Sequence, residues 1–531
     1  MDILFAENSK KDVVELKSET VKDLALNEII GSIAKNEGEN YILRDIFTHI
    51  PTDTEDIRYR SEIMKDFLDN EKMTDEISEA LNLVKTLKEY GRSMTLSMES
   101  DNSLYVLLEQ LRELSVYVNV SEDIVNCLKK HDINSRGLKN VLDHMEKIVH
   151  DEKFEEAKKD INTLLEDLSV VRGAIVGVNF TADLNVETVS SVEFVPYKIR
   201  SKYTIAEIAA TVHNAISSPA ASNTNGLPPS SGGSYGGTVH VVDPLLVSMT
   251  PLMEKHMKRQ YKKMKMVMNQ YIKLDSTSVT EMFEGLTFYV AMAKFAARIK
   301  KAGFEICMPD IRDTEGISMT VKDLYNVRLF LANEKNIVKN DFSFSPKENI
   351  FVLTGPNRGG KTIIEQALGI ISVMASIGSF VTASSFEGRP FNNILTHFPI
   401  DENLTINYGR LGEEAVRIKE IVAESDDKTL ILFNETYSTT SAVDGLYLSK
   451  DLIRVLKEIG TAVIFNTHIH ELVSSLDEIN SWEGESSVVS LVMEIKDNVN
   501  TFRVKRSIPE SKSYARNIAE KYGITYEQMK H

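Results

Sequence analysis

The chain has 531 residues, and 61 Lys and Arg against 78 Asp and Glu give a formal net charge of −17. Apolar residues make up 42% and charged residues 26%, which excludes disordered, fibrous and disulfide-dense classes, and the length predicts roughly three or four folding units. Cys127 and Cys307 stand far apart with no Cys-x-x-Cys pair, so the spacing gives no support to a thiolate zinc site or a redox dithiol and fits a reducing compartment. Residues 1–11 carry Asp2 and Glu7 instead of a basic-then-apolar signal, and no apolar run nears the roughly 18 residues a spanning helix needs. A cytoplasmic protein with no membrane partner is expected. The acidity also confines any DNA contact to a local basic element.

In chain order, residues 21–166 repeat apolar side chains at helical spacing, as in Ile77, Leu81, Val84 and Leu87, then Leu104, Leu107, Leu111 and Leu114. An all-α core with long lever helices is predicted. Over 174–195 the pattern turns to short β-type runs (Ile175, Val176, Val178, Phe180) interrupted by Gly173 and Gly177, a small strand-containing insert. Residues 217–237 hold three prolines, five glycines and no charge, the composition of a flexible linker. Helical spacing returns over 245–273 and 279–301 (Met282, Leu286, Tyr289, Ala293, Ala296), so the linker interrupts a helical region.

Beyond about 327 the text becomes α/β. Short β-rich runs at 349–353, 429–433 and 461–465 alternate with helical stretches at 363–374, 413–424 and 445–459, which predicts a mostly parallel sheet flanked by helices. A hairpin is expected where 488–495 and 501–504 flank 497–500, and a last helix over 513–522. The predicted organisation is 1–170 helical core and lever, 171–244 altered insert containing the linker, 245–326 returning lever helices, and 327–531 a C-terminal α/β P-loop domain.

Gly355, Pro356, Asn357, Arg358, Gly359, Gly360, Lys361 and Thr362 form a complete G-x-x-x-x-G-K-[ST] loop between an apolar strand and a helix. Small residues let backbone N–H groups curl around phosphate oxygens, and the helix N-terminus adds partial positive charge. Lys361 would reach the β- and γ-phosphates and the Thr362 hydroxyl would ligate Mg²⁺. A second strand ends at Asn434 and Glu435, where Glu435 would polarise the attacking water. Asn434 stands where an Asp usually holds the Mg²⁺ shell; its amide oxygen accepts a hydrogen bond from a metal-bound water but lacks the charge, so slow turnover with retained binding is expected. A third strand ends at Asn466, Thr467 and His468, placing an imidazole to sense the γ-phosphate. His470 and Glu471 close by lack a third metal ligand.

These residues resemble those of the MutS family of DNA mismatch-repair ATPases. Residues 354–362 (T-G-P-N-R-G-G-K-T) look like its Walker A loop, 435–446 (E-T-Y-S-T-T-S-A-V-D-G-L) fit the segment that follows its catalytic Glu, and 461–472 (T-A-V-I-F-N-T-H-I-H-E-L) fit its Thr-His strand end. Residues 338–341 (V-K-N-D) and 512–523 match flanking signatures less specifically, and 50–67 is similar to the start of the helical core. The resemblance implies an ABC-class ATPase that uses ATP and Mg²⁺, a homodimer, and double-stranded DNA, mismatched or branched, as partner. It implies that Asn357 contacts phosphate, that Glu435 and His468 are the catalytic base and γ-phosphate sensor, and that Thr440, Ser441 and Asp444 face the partner subunit. It further implies a nucleoid-associated location and a place in mismatch repair or recombination.

Departures are Asn434 in place of Asp, the absence of the expected Ser from 408–414 (Y-G-R-L-G-E-E), and a helical core that starts too early to leave room for a mismatch-reading domain. Phe5, Ala6 and Glu7 spell that domain's Phe-x-Glu wedge, here without a domain around it. DNA contact falls to 254–273, where Lys255, Lys258, Arg259, Lys262, Lys263, Lys265 and Lys273 stand against one acid and interleave with methionines. A rival reading is a nucleotide-gated structural or interaction module whose main partner is a protein.

Overall fold

A computed structural model describes residues 2–94, 104–169, 171–183, 186–199, 254–255, 257–271, 277–314, 316–356, 358–399, 410–438, 440–484, 486–496, 499–508 and 523–530. The neutral linker, Asn357, Lys273, residues 408–409 and the helix expected over 513–522 lie outside the described residues.

An extended N-terminal segment leads into β1 (Val13–Glu15), α1 (Ser18–Asp23), α2 (Leu26–Ile33), α3 (Glu37–Thr48), β2 (His49–Pro51) and α4 (Thr54–Asp69), with β1 and β2 antiparallel. There follow α5 (Glu71–Met94), α6 (Leu104–Lys130), α7 (Arg136–Val149), α8 (Glu152–Ser169), the hairpin of β3 (Gly173–Phe180) and β4 (Val186–Val195), α9 (Lys258–Tyr271) and α10 (Thr277–Lys301). The last part runs β5 (Asp310–Ile311), β6 (Met319–Leu324), α11 (Val327–Leu331), β7 (Asn340–Phe344), β8 (Glu348–Thr354), α12 (Lys361–Ser376), β9 (Ser385–Gly388), β10 (Asn393–His397), α13 (Arg410–Ala423) and β11 (Thr429–Asn434). It closes with α14 (Ala442–Ile459), β12 (Ala462–Asn466), α15 (His470–Ser474), α16 (Leu476–Asn480), β13 (Ser487–Lys496), β14 (Val499–Arg506) and α17 (Tyr526–Met529).

Two compact units emerge. Residues 1–81, 124–144 and 281–531 form a sheet-bearing unit, and 82–123 with 145–280 form a helical unit. The first 81 residues group with 124–144 and 281–531 in the sheet-bearing unit. The segment 245–326 carries α9 and α10 and then β5 and β6. Strand β6 escapes a search for apolar runs because it alternates, with Met319, Val321 and Leu324 buried and Thr320, Lys322 and Asp323 exposed.

In the sheet-bearing unit, six strands lie in the order β10-β11-β12-β8-β13-β14, all parallel except β14. Strands β11 and β12 are buried at every position, as expected of parallel strands covered on both faces. A second sheet, β5-β9-β6-β7, adjoins in sequence. Helix α12 buries 14 of its 16 residues, so it needs apolar partners on both sides. Gly369 shows what they are: a Cβ there would lie 2.5 Å from Leu24 Cδ2 and 2.8 Å from Leu432 Cδ1, so α12 is pressed between the start of the chain and β11.

Polar ties fix the N-terminal layer. Thr20 donates to the Ile394 carbonyl (3.1 Å), Gln366 to the Asp23 carbonyl (2.8 Å), and the half-buried Asp23 carboxylate accepts from Thr396 (2.7 Å) and Arg417 (3.1 Å). Phe5 lies 4.9 Å from the fully buried Arg60 guanidinium, and Asp56 accepts the Ala6 N–H (2.8 Å) and the Ser9 hydroxyl (2.6 Å). Phe5, Ala6 and Glu7 thus belong to a stretch that seals the α4 surface.

In the helical unit, Phe154, Ala157, Ile161 and Leu164 put one buried stripe on α8, with Tyr117 edge-on to Phe154 at 5.8 Å. Helix α9 buries Met264, Val267 and Met268 and exposes Lys258, Arg259 and Lys262.

Gly378 provides a test of how α4 meets the turn after α12. Its φ is +74°, and a Cβ would stand 2.3 Å from Arg60 Cβ and 2.9 Å from the Ile57 carbonyl oxygen. Gly378→Ala is expected to lower unfolding stability by about 2 kcal/mol or more in urea titrations. A loss below about 0.5 kcal/mol would show that this close approach is not rigid.

Candidate nucleotide site

Strand β8 is buried from Asn349 onward, apolar from Ile350 to Leu353, and ends at Thr354, just before the 355–362 loop and α12. Gly360 is the N-cap of α12 at φ 95°, a left-handed conformation that costs glycine little, and it brings no side-chain cap. The first N–H groups of a 16-residue helix are therefore left to an outside acceptor, which is the requirement of a phosphate cradle. Arg358 also sits at positive φ, 61°.

The Lys361 side chain is buried and folds back on the loop, donating to the carbonyls of Gly355 (3.0 Å) and Pro356 (3.3 Å). Burial pulls its pKa down, opposed by the charges of Glu435 and Glu365. Beside the loop opens a cavity of about 600 Å³ lined by Tyr325, Asn326, Val338, Asn340, Lys361, Glu435 and Phe502, among others. Asn326 caps α11 and donates to the Ile363 carbonyl at 2.9 Å, while Asn340 joins β7 to β14 through the Phe502 carbonyl (3.1 Å) and the Val504 N–H (2.7 Å).

Three strand ends converge on the loop. Asn434 on β11 and Asn466 on β12 are register partners, and the Asn466 amide donates to Asn434 Oδ1 at 2.6 Å. Thr362 Oγ1 donates to the same oxygen at 3.3 Å, so Thr362 and Asn434 lie side by side. One residue on, Glu435 adopts φ 54° and Tyr437 φ 61°, left-handed conformations that cost non-glycine residues roughly 1–3 kcal/mol and concentrate at functional sites. Glu435 Oε1 meets His468 Nε2 at 2.9 Å, with both side chains partly exposed at the mouth. Among the described residues, His470 and Glu471 are not part of a metal-competent cluster.

Several polar groups here carry no sequence signature. Glu365, one turn beyond Thr362, is fully buried, and burial raises its carboxyl well above the ordinary 4.5. Its Oε2 accepts from Asn466 Nδ2 at 3.3 Å and its Oε1 has no hydrogen-bond partner. The Asn466 amide thus links a buried acid to Asn434. His397, at the end of β10, lies 3.1 Å from the Thr436 hydroxyl and 3.7 Å from Glu414, and burial, with Arg417 nearby, pushes its pKa down to about 4. Glu414 accepts the Tyr437 N–H at 2.8 Å, so α13 braces the segment that positions Glu435.

Ser441 and Asp444 are exposed and bond each other. The Ser441 hydroxyl donates to Asp444 Oδ2 (2.7 Å) and accepts the Asp444 N–H (3.1 Å), capping α14. Thr440 immediately precedes them.

Residues 351–530 match the sequence family described as MutS domain V, and residues 52–188 match the MutS2 N-terminal domain. DNA mismatch repair proteins MutS of Bacillus cereus and Bacillus mycoides are each 33% identical over 153 residues, 28% of this chain and 17% of theirs. The MutS of Macrococcus caseolyticus is 34% identical over 148 residues, 27% of this chain and 18% of its own.

The chain belongs to the MutS family. It spans under a fifth of the length of these MutS relatives, and the domain V match contains the 355–362 loop and all three converging strand ends.

Glu365 yields the test for this MutS-family site. In the unfolded chain its carboxyl ionises near 4.5, whereas the folded site holds the proton to higher pH. The unfolded state therefore binds fewer protons above 4.5, and stability drains away as pH rises towards the folded pKa. Glu365→Gln should remove this slope, so its stability gain over the wild type, read by urea unfolding, should grow from pH 5 to pH 8. A gain independent of pH would mean that Glu365 is ionised in the folded protein.

Proposed function

We propose that this MutS-family chain is an ATP-dependent DNA-binding protein, in which ATP binding and slow Mg²⁺-dependent hydrolysis are coupled to binding of mismatched, branched or otherwise distorted duplex. The observation that carries this reading is one cavity lined by the uncapped α12 N-terminus, Thr362 and Glu435, with Asn434 bonded to Thr362 and His468 to Glu435.

The donors fit a nucleotide. The loop N–H groups and Lys361 would bind phosphate, Lys361 exchanging the Gly355 and Pro356 carbonyls for phosphate oxygens. Asn357 and Arg358 complete the loop. Thr362 and Asn434 would hold Mg²⁺, partly through water; the ion would supply neutralisation of charge on the transferred phosphoryl group. Glu435 would take a proton from the attacking water, and His468, donating from Nε2, would orient that carboxylate and sense the γ-phosphate. The neutral Asn434 stabilises a cation less than a carboxylate would, which supports slow turnover.

A homodimer is supported on the face that begins at Thr440. Next to Ser441 and Asp444, Val443 and Tyr447 stand four residues apart and are 78% and 65% exposed, an apolar pair suited to cover by a second copy. In that arrangement Thr440, Ser441 and Asp444 would meet the partner's nucleotide.

For DNA, Lys255, Lys258, Arg259 and Lys262 are exposed, whereas Lys263 is bound to Asp167 at 2.8 Å and Lys265 is half-buried. Such contacts would grip phosphates without reading sequence.

Measurements on nucleotide and on DNA test the reading. Lys361→Ala should weaken ATP binding roughly ten- to a hundredfold, and Glu435→Gln should keep binding while lowering turnover by about 10² or more. Unchanged turnover in Glu435→Gln would displace it as the base. For DNA, replacing Lys258, Arg259 and Lys262 together by Ala should lower the slope of log affinity against log salt by about 3. If no homoduplex, mismatched or four-way-junction DNA binds with or without ATP, the rival module with a protein partner takes its place.

A further inference from the structure

We propose that Glu76, Cys127 and His131 form a site for a divalent transition-metal cation of the zinc type, separate from the nucleotide site. Cys127 and His131 are four residues apart, and the His131 N–H donates to the Cys127 carbonyl at 3.3 Å, continuing the last turn of α6. Both side chains therefore project from one face. Glu76 reaches the same point from α5, and one ligand atom from each residue lies within 4.8 Å of the other two. Ligands of a tetrahedral zinc at about 2.0–2.3 Å stand roughly 3.3–3.8 Å apart. A side-chain closure of about 1 Å is enough.

Charge and protonation suit a cation. The Glu76 carboxylate accepts from Lys130 through Oε1, which leaves Oε2, 3.3 Å from His131 Nε2, for a metal. Cys127 lies beneath with its thiol 3.9 Å from the Met73 carbonyl. Binding would release the thiol proton to solvent and move the imidazole proton from Nε2 to Nδ1, freeing the Nε2 lone pair. The cation's two positive charges then meet one thiolate and one carboxylate, and Lys130 stays on the far oxygen. The negative end of α6 adds to the attraction.

Access is graded in the same sense. Cys127 is 5% exposed, the His131 side chain 12% and the Glu76 side chain 35%, so the thiolate would be shielded while water fills the fourth position from the carboxylate side. A thiolate with an imidazole selects zinc or cobalt over magnesium and calcium, so this site does not compete for the ion expected at Thr362. The occupied site would clamp the start of α5 to the end of α6.

Cobalt(II) titration of the full chain tests this. We expect a thiolate-to-cobalt charge-transfer absorption in the near ultraviolet that saturates at one ion per chain, is bleached by zinc, and persists with excess Mg²⁺–ATP and in Cys307→Ser. Cys127→Ser should abolish the band, and His131→Ala and Glu76→Gln should each weaken cobalt binding by at least about tenfold. If Cys127→Ser does not fold, the other two variants decide. No band in the wild type, or a band of unchanged affinity in His131→Ala and Glu76→Gln, would overturn the proposal and leave an ordinary ionic cluster around Glu76.

Discussion

Burial of α12 on both flanks is the constraint from which the rest of the sheet-bearing unit follows. The first turn of α12 carries no side-chain cap, so the helix has to be secured along its length. Leu432 packs it from the sheet and Leu24 from the N-terminal layer, with Gly369 allowing both to approach. The layer is tied down by Thr20, Asp23, Gln366 and Arg417. Residues more than 300 positions before the loop therefore help to hold it. The N-terminal segment is a structural member of the sheet-bearing unit.

A second consequence concerns charge. The ends of β11 and β12 present two neutral amides, Asn434 and Asn466, and the acid of the inner site sits instead on α12 as Glu365. A carboxylate at 434 would share the Asn466 amide with Glu365, and two carboxyls on one donor disfavour joint ionisation. Asn434 avoids that conflict. Asn434 is thus read better with Glu365 than alone: the acid of the inner site lies on α12, where burial raises its carboxyl well above its ordinary value.

What the sequence made legible was local. The 355–362 loop is eight consecutive residues, and strands β8, β11 and β12 are continuous apolar runs, so spacing alone found them. Glu435 and His468 were each found at a strand end, and their contact is a finding of the structure. Glu365 was hidden because nothing in its own segment marks it; its partner is about a hundred residues away and its burial is a property of the assembled sheet. Strands β5, β6 and β9 were hidden by being short or alternating. Counting cysteines likewise argued against a metal, because Cys-x-x-Cys is a rule about one loop. Cys127 and His131 use helical spacing instead, and Glu76 comes from another helix.

The net charge of −17 bears on DNA through placement more than through amount. On α9 the apolar face of Met264, Val267 and Met268 fixes the helix rotation, and the opposite face must then carry Lys258, Arg259 and Lys262. Asp167 neutralises Lys263 on the flank. What remains is a narrow strip whose direction is set by hydrophobic burial and not by the charges themselves, which would otherwise repel one another. On the function proposed above, such a strip on an acidic chain would orient a polyanion along one line. Attraction of that kind would fix where a duplex lies and leave its sequence unread, so on that proposal a preference for distorted DNA would come from how readily the duplex bends to the strip.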